Sequence, residues 1–290
     1  MKQLIKISLN SSFFLFLLAL NLYCMAGYAA QSYLLLDTGY RYDRVDEDHE
    51  FVAPGQFISL EINNHNTQIY LLGARGLWHD PSLCSQFIVK GAAHYGWIGA
   101  GDFTFESARR GDAGGYTVDA IGGLGYSLCA CNCFEFVPLV GFSYDKHHFK
   151  NRKIFSSISN TFFNDIDLDY SWYGPWAGFD IYFANYSYCL PLDFDVGYEF
   201  HYGWASFRRK DSDGFAQKFH MPDMKGHVFH LGTLYHFCGS WLAGIRFQYT
   251  FWNNAHKRRS TQNVPSTLVG RAVELRWQSF EAMANIGFCF

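Results

Sequence analysis

Residues 192–204 read LDFDVGYEFHYGW. The even positions, Leu192, Phe194, Val196, Tyr198, Phe200, Tyr202 and Trp204, are all apolar or aromatic. The odd positions hold Asp193, Asp195, Glu199, His201 and two glycines. A period of two places successive side chains on opposite faces of an extended strand. The alternation returns along most of the chain. It predicts ten strands, over 33–43, within 57–78, and over 87–103, 116–129, 134–144, 169–183, 192–204, 227–237, 241–252 and 268–290. Short turns at 80–85, 130–133, 185–191 and 238–240 alternate with polar loops at 45–50, 109–115, 146–164, 207–225 and 253–266. Pro175 has no amide proton for a ladder, so a bulge is expected there. The last segment changes parity near Gln278, which reads either as one long bulged strand or as a hairpin.

The N-terminus changes the meaning of the apolar face. Lys2 and Lys6 precede a short apolar run, FFLFLLAL at 13–20, and small residues follow at Gly27 and Ala29. This is the layout of a secretory signal peptide, too short to span a membrane. Residues 1–29 are expected to be that signal and 30–290 the mature chain. Lipidation at Cys24 is disfavoured by Tyr23, where a small residue is wanted. Without Lys2 and Lys6 the chain carries 21 basic and 26 acidic residues, which does not suggest nucleic acid as a partner. Aromatics make up 19% of the chain, yet mean hydropathy is −0.09. No later apolar run approaches the ~20 residues of a membrane helix. An exported, aromatic-rich, alternating chain predicts an all-β fold: a closed antiparallel transmembrane β-barrel integral to the outer membrane. Ten strands put both termini and the short turns on the periplasmic side. Twelve strands, with hairpins near Asn64 and Ser279, are the alternative.

One face of the barrel meets lipid and the other lines the interior. The expected lumen-lining residues are Asp37, Arg41, Arg75, Lys90, His94, Asp119, Glu135, Asp193, Asp195, Glu199, His201, Arg246 and Glu281. In a narrow barrel such a set makes either a polar plug of paired charges or a thin solute path. His230 and His236 share the inward face but lie about 20 Å apart along a strand, too far to share an ion. No metal or cofactor is expected. Basic clusters at 109–110, 150–153, 208–210 and 257–259 suit phosphates of lipopolysaccharide or an anionic polysaccharide.

The chain ends Phe280, Ala282, Ala284, Ile286, Phe288, Phe290. This resembles the C-terminal strand of Gram-negative outer-membrane barrels. The resemblance implies that Ile286, Phe288 and Phe290 carry the signal read by the barrel-assembly machinery. A ten-stranded exported barrel of this length also resembles the omptin surface proteases in architecture. That resemblance implies carboxylate and Asp–His pairs activating water above the membrane. Asp165, Asp167 and Asp169 with His147 and His148 would be the candidates, but the omptin loop motifs are absent. The reading preferred here is porin-like or envelope-structural and not enzymatic, with the omptin-like protease as the alternative.

The cysteine-rich turns, aromatic alternating strands and export signal together resemble the Protochlamydia outer-membrane protein family of chlamydia relatives. The cysteine-containing major outer-membrane proteins of Legionella are the runner-up. The resemblance implies a porin-like protein in a disulfide-linked envelope, with other cysteine-containing envelope proteins as partners. The residues add detail of their own. Cys84, Cys129, Cys131, Cys133, Cys189, Cys238 and Cys289 all fall in or beside the short turns or the C-terminus. All seven are therefore expected at the oxidising periplasmic end as disulfide candidates. An odd number leaves at least one thiol for an intermolecular bond.

Overall fold

The structure, a computed structural model, describes residues 32–53, 56–79, 87–105, 109–131, 134–156, 161–162, 165–185, 192–211, 216–237, 240–254 and 269–290. The expected signal peptide, Cys84, Cys133, Cys189, Cys238 and the basic cluster at 257–259 lie outside them. Twelve strands form one antiparallel sheet. Two of them are short pieces, Leu128–Cys131 and Thr161–Phe162, that pair beside a longer strand. The other ten make the wall. They are β1 (Tyr33–Ala53), β2 (Gln56–His79), β3 (Phe87–Phe105), β4 (Arg109–Tyr126) and β5 (Phe134–Ser156), then β6 (Ile166–Asn185), β7 (Leu192–Asp211), β8 (Ala216–Phe237), β9 (Trp241–Asn254) and β10 (Val269–Cys289). Each pairs with its sequence neighbours. β1 also pairs with β10, from Tyr33 opposite Cys289 to Val52 opposite Val269, which closes the barrel.

The ten wall strands are 14–24 residues long, whereas about 9–11 residues suffice to cross a membrane. The surplus lies at the end away from the termini. Residues expected as loops at 45–50 and 109–115, with much of 146–164 and 207–225, are strand. Their polarity does not break the period. In β7, Ala205 and Phe207 are buried while Arg208 and Lys210 are exposed.

What changes along each strand is the solvent on the outside. A lower band of exposed Leu36, Leu72, Leu124, Val140, Leu231 and Ile245 is bounded by two aromatic belts. One holds Tyr42, Tyr70, Trp97, Tyr144, Trp204 and Tyr249; the other holds Trp78, Phe87, Tyr126, Phe183, Tyr235 and Trp241. Aromatic girdles of this kind mark the two membrane–water interfaces. Inside the band, apolar side chains point out and charged ones point in. Above it the chemistry inverts at constant parity. Val45, Phe149, Leu168, Tyr170, Trp172, Phe207 and Trp277 form a buried apolar core. Arg44, Lys150, Arg208 and Arg276 are exposed outside it.

This inversion accounts for the parity change read near Gln278. Leu275, Trp277, Ser279, Glu281 and Met283 all face inward in one phase. β9 and β10 keep a single register from Arg276 to Phe288. There is no hairpin at Ser279, and β2 runs through Asn64, so the wall has ten strands and not twelve. Pro175 is likewise not at a bulge. Tyr173 lies opposite Trp204 and Trp176 opposite His201, with no shift between them. Gly174 and Gly203 instead let the two backbones come close there, since a Cβ on either would collide with the other strand. A bulge occurs in β8 between Met221 and Met224, where Asp223 takes a φ of 63°.

Glycines also shape the wall where an inward tryptophan lies flat against it. A Cβ on Gly123 or Gly141 would run into the Trp176 ring, whereas one on Gly122 would meet nothing within 4 Å. Gly141→Val is expected to lower the urea midpoint of the detergent-refolded barrel by about 1–3 kcal/mol of stability. Gly122→Ala should leave it unchanged. Equal midpoints for both variants would show that this contact does not matter.

Candidate functional site: the barrel interior

Inward-facing polar residues gather into two knots. The upper one is built on Arg41 of β1, whose side chain is 1% exposed. Its guanidinium pairs with Asp43 at 3.1 Å, with Asp119 of β4, and with Glu281 of β10 at 3.7 Å. It also reaches His147 of β5 at 2.9 Å and lies 5.7 Å from the Trp277 ring centre. The lower knot is built on Asp180 of β6. Lys90 of β3 reaches it at 2.8 Å, Tyr182 donates to it at 2.9 Å, and His230 of β8 lies at 3.3 Å. Lys90 also contacts Glu199 of β7 at 3.3 Å, and Glu199 is 3.0 Å from His201. Asp195 faces both His230 and Arg246 at 3.6 Å. Between the knots, Asp37 is held by His94 at 3.0 Å and Arg75 at 3.7 Å. Thus charges on neighbouring and facing strands are tied across the lumen.

Glu135 is buried at the terminal end, and Asp193 pairs there with His236. The interior buries Asp37, Arg41, Arg75, Lys90, Glu135, Glu199, His201, Arg246 and Glu281, while the side chains of His94, Asp119, Asp195 and Asp193 are 12%, 14%, 13% and 31% exposed. It also holds Asp43, Asp145, Asp180, Tyr182 and His230, which that set lacked. The missing signal in β6 is the even series Trp176, Gly178, Asp180, Tyr182, obscured because aromatic residues occupy both faces.

The interior retains an enclosed cavity of about 70 Å³ beside Asp37, His94, Asp119, Glu199, His201 and Glu281. That is room for roughly five waters. Aromatic rings close the space above it. Trp172 and Trp277 lie 4.7 Å apart between ring centres, Tyr170 stacks on Trp172 at 5.7 Å, and His147 packs edge-on against Trp277 at 4.7 Å. Below, Leu77, Ile88, Val137, Leu139 and Trp176 form a second apolar cluster.

The carboxylates and histidines of the protease alternative do not converge. His147 points into the core, fully buried, while Asp167 and Asp169 lie on the outer wall. His148 pairs with Asp169 at 2.7 Å, also on the outside. At the terminal end, Ile286, Phe288 and Phe290 are exposed, and the Phe290 amide donates to the Ser32 carbonyl at 2.9 Å. Cys289 sits at that end beside Ser240, and Cys129 and Cys131 are in the short strand there.

Residues 35–290 match the family described as Protochlamydia outer membrane protein. The chain belongs to this family. It is an integral outer-membrane β-barrel, and members of the family share that location by name. The fold resembles that of the outer membrane protease OmpT from Escherichia coli, with a TM-score of 0.66 and 10% identity over 89% of this chain and 97% of that one. At such identity the likeness is one of fold. The toluene transporter TodX of Pseudomonas putida overlaps far less well, at a TM-score of 0.36 and 7% identity over 91% and 90% of the two chains. The attachment invasion locus protein Ail of Yersinia pestis gives 0.32 and 10% over 90% and 100%. No curated protein is detectably similar to this chain in sequence.

For this member of the Protochlamydia family the lower knot can be tested directly. Lys90→Met would leave Asp180 and Glu199 buried without their shared cation, at a cost of about 3–5 kcal/mol. A urea titration of the refolded barrel should show that loss, and Lys90→Met/Asp180→Asn/Glu199→Gln should recover much of it. A wild-type midpoint for Lys90→Met would mean that the knot does not brace the wall.

Proposed function

We propose that this chain is an envelope-structural barrel with a shut interior, and not a diffusion pore or an enzyme. The observation that carries this reading is the ring of packed aromatics across the upper lumen. Trp172, Tyr170 and Phe149 are each 0% exposed, and Trp277 is 2% exposed. An apolar plug packed to that degree leaves no file of water through the section it occupies. Below it the charges are tied to one another, so they brace the wall and do not line a path. Arg41 links β1 to β4, β5 and β10, and Lys90 links β3 to β6 and β7.

A braced barrel becomes an envelope element when it is joined to others. Cys289 lies at the terminal end with a free thiol, its Sγ 3.4 Å from the Ser240 carbonyl oxygen. In an oxidising periplasm, this thiol and the remaining turn cysteines supply disulfides to other cysteine-containing envelope proteins.

Two measurements test the reading. In planar bilayers the wild-type barrel should show no conductance steps, and Trp172→Gly/Trp277→Gly should open it; steady ohmic steps from wild type would overturn the shut interior. On non-reducing gels of isolated outer membranes, high-mass species should collapse to the monomer band with reductant. A band indifferent to reductant would remove the covalent link.

A further inference from the structure

The outer wall from β4 to β8 carries two features that the proposed shut interior does not use, one above the other along the strands. The lower is a groove of about 750 Å³ in the lipid-facing surface. Its walls are Leu124, Val140, Phe142, Phe200 and Tyr202, and its floor is the bare backbone around Gly122 and Gly141 with Pro175 and Ala177. The floor is low because Gly122, opposite Phe142 on the outward face, has no side chain, and a Cβ there would meet nothing within 4 Å. The groove lies within the apolar band, where acyl chains are the surrounding medium.

The upper feature begins past the belt residues Tyr144 and Trp204. His148, Asp169, Arg208 and Lys218 stand opposite one another across β5 to β8 in one row. Lys150, Asp167 and Lys210 form the next row, and Lys146 stands one row below with its ammonium 5.8 Å from the Tyr116 ring centre. Five lysines and arginines thus share the patch with two carboxylates, one of which is held by His148. Lys146 is four residues from Phe142, about 13 Å along the strand. That is the separation between a lipid headgroup and the chain region beneath it.

We propose that this face is a seat for one phosphorylated glycolipid of the outer leaflet, of the lipid A type. An acyl chain fills the Gly122 groove, and its phosphates meet Lys146, Arg208 and Lys210. A groove alone would take any acyl chain. The cationic rows select an anionic headgroup, because arginine and lysine make charge-assisted hydrogen bonds to phosphate. The position of the rows, at the end of the barrel away from the termini, selects the outer leaflet. The assignment rests on the outer-membrane location and on this outer face, not on the shut interior, so a barrel that conducts would leave it untouched.

The test is native mass spectrometry of the refolded barrel, titrated in detergent with bisphosphorylated lipid A and separately with phosphatidylethanolamine. One lipid A should stay bound where phosphatidylethanolamine is lost. Lys146→Ala/Arg208→Ala/Lys210→Ala should weaken retention at least about ten-fold, the loss of one charge-assisted contact. Gly122→Phe, which fills the groove without meeting any neighbour at its Cβ, should do the same. Arg44→Ala/Arg276→Ala, on another part of the wall, should change nothing. Heat-modifiable migration confirms folding of each variant. Equal retention of both lipids, undiminished retention in the triple variant and in Gly122→Phe, or an equal loss in Arg44→Ala/Arg276→Ala would each overturn the assignment.

Discussion

In hydrocarbon every main-chain amide and carbonyl must find a partner, and the seam between β1 and β10 is where this chain meets that demand. Any open edge would expose a row of unpaired groups to lipid. The seam pairs residues from Tyr33 to Val52 with residues from Cys289 to Val269. It also sets every face of the wall. Because the side-chain period is two, a slip of one residue would turn Asp37, Arg41 and Asp43 toward lipid. A basic side chain at the bilayer midplane costs about 2–4 kcal/mol, so the slip is strongly disfavoured without any special turn.

The interior charges follow from the same constraint. They cannot point outward within the band, and a narrow lumen brings them close to one another. Pairing removes most of the penalty of burial without giving much net stability, since desolvation offsets the Coulomb gain. Their greater effect is on register. Asp180 finds Lys90, His230 and Tyr182 only when β3, β6 and β8 stand in the observed alignment. The knots therefore hold strands that are not sequence neighbours, which main-chain ladders alone do not do.

Alternation made the ten strands and much of the interior legible, because in the band the outside is apolar apart from threonines such as Thr38 and Thr233 and the inside mostly polar. The stretch 192–204 obeys that rule at every position. The failures in strand length and parity have one cause. Above the upper belt the outside is water, so Arg208 and Lys210 read as loop although they continue β7. In β10 the apolar Leu275 and Trp277 looked like a change of phase although parity never changes. β6 hid Asp180 because Trp172, Tyr173, Trp176 and Phe179 put aromatic rings on both faces. His147 was grouped with the outer carboxylates because it adjoins His148, yet neighbouring strand residues face opposite ways. The twelve-strand alternative fails for the same reason, since both of its extra hairpins were placed where the outer solvent switches.

The two halves of the wall therefore work by different physics. In the band, lipid solvates the outer apolar face, and the buried charges penalise wrong registers more than they stabilise the right one. Above the band, water lies outside, and burying Trp172, Trp277, Tyr170 and Phe207 is favourable in the ordinary way of a soluble protein. A side chain of that size contributes about 1.5–3 kcal/mol when removed from water. The extra strand length beyond the membrane thus has a physical consequence. Among the described residues, it supplies a region where apolar residues face inward and charged residues face outward, both at a gain. That region is also where buried aromatic rings fill the interior. The apolar filling of the upper interior and the projection of the strands beyond the bilayer are consequences of one inversion in the hydropathy of the wall.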